Sequence, residues 1–495
     1  MRMNFDPQRR LDSPAVLDAK LNVNCRDEIV PILRALQHLY GQPEVRASIL
    51  ALIAADVNAN RSSKRGRKGL DYWPILVLGA VRLGCNLDYD KLQDLAENHR
   101  SLRPIMGIQG WDKDEALDWR RIRDNLCLLQ PETIKRISDE IVGVGQRLVS
   151  AAVEQIRGDS FVLKTNIHYP TDANVMGDGV RKVLTLGGRL AKLIGAQGWR
   201  QQRHLQKKLR RILQEIVKVC GKQGPHYQER LKPCYRRLEE LAELVDWRAL
   251  QLLEEAEAFH AQADILARAE VEDLGAELVY YVGGTEYMRE LAQRRSSQGE
   301  ALPNAQKVFS LFEPHTELIN RGKRPLPIEF GHRVLVLEDD AGFICHHQVM
   351  AIGAQDCQVL VPEMKELQQR FGGKIKSASF DRGFHSPENQ VELAKLVAQP
   401  CLAIKGRLQA AEQQREASIE FRERRQHHPG IESAIGALQA GNGQERCRDK
   451  SSLGFERYVA LGVLGRNLQV LGKLLIAEED GAAVAGFSKR KRAAA

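Results

Sequence analysis

The sequence predicts an α+β protein: an all-helical N-terminal region, then a mixed sheet flanked by helices, with a helical insertion interrupting the sheet-bearing part. Three observations predict it. Residues 25–150 carry apolar side chains at three-to-four spacing in short segments, and residues 189–269 carry the same spacing along charged stretches. From Val308 onward, short runs rich in Val, Ile, Leu and Phe replace the helical period. The chain therefore divides into a helical N-terminal domain at 1–150, a first part of the core at 151–188, a helical hairpin insertion at 189–300, the remainder of the core at 301–478 and a basic tail at 479–495.

Length and charge narrow the class. At 495 residues there is room for two or three domains with a large core. The 73 Lys and Arg exceed the 64 Asp and Glu, and a formal charge of +9 favours a polyanionic partner. Nine cysteines, none in a CxxC pair, fit reduced thiols rather than a zinc site or a disulfide framework. The opening MRMNFDPQRRLDSP lacks the apolar centre of a signal peptide, and no run of about 18 apolar residues is evident. These features lead to the expectation of a cytoplasmic protein with no membrane segment.

In the first region, Ile29, Ile32, Leu33, Leu36 and Leu39, then Ile49, Leu52 and Ile53, mark helices across 25–58. A basic loop follows, with Lys64, Arg65, Arg67 and Lys68 among glycines and serines; it suits phosphate contact or a solvated linker. Segments 73–83, 89–99, 118–125 and 131–149 complete a set of short helices. With Arg120, Arg121 and Arg123 they are compatible with helix-turn-helix binding of a duplex or, alternatively, with dimerisation.

Asp159 then stands beside a short apolar strand, Phe161-Val162-Leu163. Beyond it Pro170, Gly177 and Gly179 predict a polar loop gathering Asn166, His168, Asp172 and Asp178. The insertion reads as an antiparallel hairpin, broken at 221–225, with Leu205, Leu209, Ile212 and Ile216 on one side of its first arm and Arg203, Lys207, Lys208, Arg210 and Arg211 on the others. Strands are expected at 308–312, 332–337, 343–352, 375–380 and 401–404, and helices at 362–371, 386–396 and 410–425. Asp381 ends the strand 375–380, and Glu432 lies on an apolar helix that opens after Pro429-Gly430. A last apolar helix spans 455–475.

Asp159, Asp381 and Glu432 meet a chemical need. Carboxylates from distant segments can hold two divalent ions about 4 Å apart, one activating an attacking oxygen and the other stabilising the leaving oxygen of a phosphodiester. Magnesium prefers such oxygen ligands and keeps several waters, so few protein groups suffice.

Six collinear stretches carry a family resemblance: GRKGLDYWPILVLGAVRLG at 66–84, DSFVLKTNIHYPTD at 159–172, GHRVLVLEDDAGFICHHQVM at 331–350, SFDRGFHSPEN at 379–389, and HPGIESAIGAL at 428–438 with RCRDKSSLGFERYVALGVLGRNL at 446–468. Together they resemble insertion-sequence DDE transposases, most closely the ISNCY-like group. The resemblance implies a ribonuclease-H-like core in which Asp159 lies on the first strand, Asp381 ends the fourth and Glu432 comes from a helix across the sheet. It implies two magnesium or manganese ions held by these three acids, cleavage at the element's ends, and attack of the freed 3′-hydroxyl on target DNA. It further implies double-stranded DNA partners, both terminal inverted repeats and target, a homodimer or higher oligomer on that DNA, and a nucleoid-associated prokaryotic protein.

In related transposases Tyr, Arg and Lys flank the last glutamate, and the corresponding places here hold Arg425, His428 and Gln439, which leaves Glu423 and Glu456 as alternative third ligands. Asn166, His168 and Asp172 are candidates for phosphate or a metal-bound water, His385 and His428 for the scissile phosphate, and Lys405 and Arg407 for phosphate charge. His346 and His347, neighbours on a strand, face opposite sides and are read as structural. A DNA-binding descendant without catalysis and a nuclease that cuts without joining share these residues.

Overall fold

The computed structural model describes residues 15–59, 69–108, 117–222, 224, 226–298, 300–322, 327–404, 406 and 408–481, without the side chains of 296–298 and 305. It divides into two compact units, residues 1–166 with 325–495, and residues 167–324. The inserted unit thus begins at Ile167, ahead of the expected Arg189, and ends at Arg324 rather than Glu300.

Among the described residues the first unit opens with seven α-helices: α1 (Ile29–Tyr40), α2 (Pro43–Asn58), α3 (Tyr72–Gly84), α4 (Tyr89–Asn98), α5 (Leu102–Ile105), α6 (Trp119–Leu126) and α7 (Pro131–Leu148). Local chemistry sets their starts. Pro43 and Pro131 occupy first-turn positions, where a missing N–H costs nothing, and the Asp88 carboxylate accepts the Lys91 N–H at 2.8 Å. Strand β1 (Gln155–Lys164) follows.

Four long helices dominate the second unit: α8 (Asp172–Ile194), α9 (Gln202–Gly221), α10 (Tyr227–His260) and α11 (Ile265–Gln298). Two expectations are corrected here. The stretch containing Asp172 and Asp178 is a 23-residue helix, not a loop. Its glycines sit where neighbouring side chains press on the backbone, so they permit packing rather than break the helix. The second arm of the insertion is two helices, because residues 261–264 separate α10 from α11. Leu186, Leu209, Ile212, Leu238, Leu241, Val245 and Leu278 lie in this unit's own apolar core.

The remaining elements are β2 (Glu317–Asn320), β3 (Ile328–Asp339), β4 (Ile344–Val349), α12 (Asp356–Arg370), β5 (Ser377–Phe380), α13 (Pro387–Leu396), β6 (Gln399–Leu402), α14 (Ala410–Ala417), α15 (Ile419–His427), α16 (Gly430–Gly441) and α17 (Ser452–Glu479). The result is a mostly helical α+β structure with a mixed six-stranded sheet in the order β2-β3-β1-β5-β6, β4 also pairing with β3. β1 runs antiparallel to β3 and parallel to β5, and β5 parallel to β6. The expected strand at 308–312 is absent. Those residues carry no regular pairing; instead Leu311 is buried in the helical core and its carbonyl accepts the Tyr280 hydroxyl at 3.0 Å.

At the centre of the first unit lies α17, which packs against α1, α3, α7 and β4. Gly465 and Gly84 let α17 and α3 touch backbone to backbone: a Cβ on Gly465 would lie 2.6 Å from the Gly84 Cα. Asn467 joins the sheet to the helices, accepting the Ile344 N–H at 2.8 Å and donating to Ser138 Oγ at 2.8 Å. By length and composition α17 is long and apolar enough to cross a membrane, with a window of mean hydropathy 1.4, against the expectation that no such stretch exists. Polar Arg457, Arg466, Asn467 and Gln469 interrupt the run in sequence, yet 89% of the window is buried inside the protein, as befits a core helix. All nine cysteines are free.

Candidate active site

Two strand ends bring the first two acids together. The parallel register pairs Arg157 with Ser379 and Gly158 with Phe380, so the next step along each strand sets Asp159 beside Asp381. Neighbouring strands lie about 4.8 Å apart, and residues in register on adjacent strands share a face. Asp381 directly follows β5 and is exposed, while Asp159 is half-buried and accepts the Ser160 N–H on its own Oδ1 at 2.7 Å.

Glu432 lies exposed in the first turn of α16, which packs against β1, and its charge is felt at Asp159. Two contacts hold that helix. Gly430 lies against the Arg157 guanidinium, whose Nε donates to buried Glu338 at 2.6 Å. The chain after α16 returns beside the end of β1, where the Cys447 N–H donates to the Lys164 carbonyl at 2.8 Å.

A fourth carboxylate joins them, one the sequence reading did not single out. Asp356, in the first turn of α12, accepts the Ser160 hydroxyl on Oδ1 at 2.7 Å. Burial pushes the Asp159 carboxyl up to about 6; the Ser160 N–H opposes this, and Asp381, Asp356 and Glu432 each add to the rise. Neither Glu423 nor Glu456, the alternative third ligands, is among these largest influences. A cluster of carboxylates is a donor set suited to hard divalent cations.

These acids do not form the tightest ligand group. Among the described residues, the group whose ligand atoms all lie within 4.8 Å of one another is instead His346, Glu363 and Glu366.

Among the described secondary candidates, His428 feels the charge of two of the acids. Burial lowers its pKa, aided by Arg425, while Asp381 and Glu432 oppose the shift; its Nδ1 lies 3.4 Å from Ser379 Oγ. His385 faces elsewhere: burial and Arg415 lower its pKa against Glu412 and Glu416. Asn166 is exposed after β1. His168 and Asp172 belong to the second unit, where each already has a partner. His168 Nε2 meets Asp178 at 2.7 Å and Asp172 takes both its contacts from Arg295, at 2.6 and 2.8 Å. The one polar loop expected to hold Asn166, His168, Asp172 and Asp178 is therefore not formed.

The basic candidates divide similarly. Lys64, Arg65, Arg67, Lys68, Lys405 and Arg407 lie outside the described residues. On α6, Arg120 and Arg123 are exposed and flank Trp119, with guanidinium carbons 4.6 and 5.3 Å from its ring centroid, whereas Arg121 turns back to the Gly69 carbonyl at 3.4 Å.

Comparison of the chain with protein-family models, with curated proteins and with solved structures found no match.

Proposed function

We propose that this protein is a metal-dependent DNA transposase of the insertion-sequence DDE type, with a ribonuclease-H-like core that cleaves phosphodiesters at element ends and joins the freed strand to target DNA. The observation that carries the reading is the juxtaposition of Asp159 and Asp381 on neighbouring parallel strands, with Glu432 acting on the same carboxyl from the helix packed across β1. Two bound magnesium or manganese ions would supply a polarised attacking oxygen and charge neutralisation at the phosphodiester. Asp159, Asp381 and Glu432 would hold them, and Asp356 would add negative charge while fixing Ser160 beside Asp159.

His428 contributes as a neutral imidazole. Its lowered pKa keeps it uncharged at neutral pH, and with Nδ1 near Ser379 its other nitrogen can hydrogen-bond a phosphate oxygen. Exposed Arg120 and Arg123 and the net charge of +9 support contact with a duplex backbone. Strand transfer joins two ends, so a dimer or larger assembly on DNA belongs to the same reading.

The test is purified protein with DNA carrying the element's own ends and Mg2+. Asp159→Asn, Asp381→Asn and Glu432→Gln are each expected to abolish cleavage while end-binding persists, and Glu423→Gln and Glu456→Gln to leave cleavage intact. If the three acid variants still cut, the assignment is wrong. Cutting without joining would identify a nuclease, and end-binding without cutting by the unmutated protein a DNA-binding descendant.

A further inference from the structure

Strand β4 and helix α12 assemble a second ligand cluster, separate from the four acids. His346 is 1% exposed, with Nε2 2.6 Å from Glu363 Oε2 and Nδ1 3.9 Å from Glu366 Oε1. The two glutamates are three residues apart on α12 and so share a helix face. The ligand atoms of all three lie within 4.8 Å of one another, close enough for one ion to reach each of them.

An ion pair accounts for one side of the ring only. Glu363 meets Nε2, and that interaction holds its carboxyl below the ordinary range, whereas Glu366 stands too far from Nδ1 for a hydrogen bond and leaves that buried nitrogen unsatisfied. Two residues along β4, on the same face as His346, the Gln348 side-chain oxygen is also buried without a hydrogen-bond partner. A buried ring with an unsatisfied Nδ1, an orphaned amide oxygen and two carboxylates are the groups a cation would satisfy. His347, the neighbouring histidine, faces the opposite side of the sheet, and burial pushes its pKa down to about 3.

We propose that His346, Glu363 and Glu366 bind one divalent transition-metal ion of the zinc, cobalt or manganese class, fastening α12 to β4. One imidazole nitrogen with two carboxylates suits these borderline ions, whereas magnesium favours oxygen alone. Glu366, 57% exposed, gives the ion a route from solvent. Lys135 competes with it, its Nζ lying 3.6 Å from Glu366 Oε1. Glu363 sits two turns from Asp356, roughly 10 Å along the helix, so the ion would steady the element that delivers the fourth acid beside Asp159. The site stands on its own residues and does not depend on the transposase reading.

The experiment uses the full chain carrying Asp381→Asn, which disables the other carboxylate cluster. Co2+ is titrated and followed by its visible absorption, and the Zn2+-induced shift in Tm is recorded in parallel. One high-affinity ion per chain is expected. Glu363→Gln and Glu366→Gln should each weaken it at least about tenfold with unchanged circular dichroism, and Lys135→Met should tighten it. Because Glu366 is largely exposed, its variant keeps the fold. Co2+ affinity and Zn2+ shift that are the same in the parent and in Glu366→Gln would overturn the proposal, as would the absence of any high-affinity ion.

Discussion

Burial makes the Asp159 carboxylate costlier to ionise than an ordinary aspartate, and this has a measurable sign. Its folded-state pKa of about 6 lies above the unfolded value, so the folded protein binds more protons between about pH 4 and 6. Without metal, stability therefore falls as pH rises through that window, and the loss persists above it. Asp159→Asn removes the penalty. The variant is expected to be more stable than the parent at pH 7.5 by roughly 1–2 kcal/mol in EDTA, with no gain below about pH 4; urea denaturation at the two pH values measures it. Saturating Mg2+ should stabilise the parent but not the variant. The strands beside Asp159 and Asp381 could be read in sequence, from Phe161-Val162-Leu163 and from residues 375–380. Asp356 could not, since nothing in AIGAQDCQVL shows which strand its helix will meet; only the folded sheet sets it against Ser160.

For whole elements, periodicity gave the helices of the first unit and most strands, but it misread glycine. In α8, Gly177 and Gly179 lie on a long helix because the alternative to a Cβ there is a neighbour's side chain. A Cβ on Gly179 would come within 2.2 Å of Thr285 Oγ1 and 3.0 Å of Leu311 Cδ1, and both residues are buried. Gly179→Ala should gain up to about 1 kcal/mol in helix propensity and lose roughly 1–3 kcal/mol to overpacking. The expected outcome is net destabilisation, seen as a lower Tm for the second unit, whereas an exposed helical glycine such as Gly221, with nothing within 4 Å of its Cβ, should not show the loss. The same dependence on distant partners explains residues 308–312. Their apolar run reads as a strand, but the helices of their own unit cover Leu311 first.

Across the whole chain, the sequence boundary at residue 150 separates helices that share a core with the segment 452–479. Arg82 of α3 is 1% exposed and meets Asp449, just before α17, through two hydrogen bonds of 2.9 and 2.5 Å. Arg457 Nε donates to the Leu129 carbonyl at 2.6 Å, and a Cβ on Gly472 would run into the Pro31 carbonyl. An isolated 1–150 fragment would expose the apolar faces of α1, α3 and α7 to water and leave Arg82 without its carboxylate, a loss that breaking a buried pair alone puts at about 3–5 kcal/mol. Against a typical stability of about 5–15 kcal/mol for a domain, this is decisive. Expressed alone, 1–150 is expected to aggregate or to show helical circular dichroism without a cooperative thermal transition. Residues 167–324, whose apolar core is drawn from their own helices, should instead unfold cooperatively as a fragment. A sharp transition from 1–150 would show that the helical region is a domain in its own right; its failure would mean that any DNA contact made by Arg120 and Arg123 is built onto the same body as the acids.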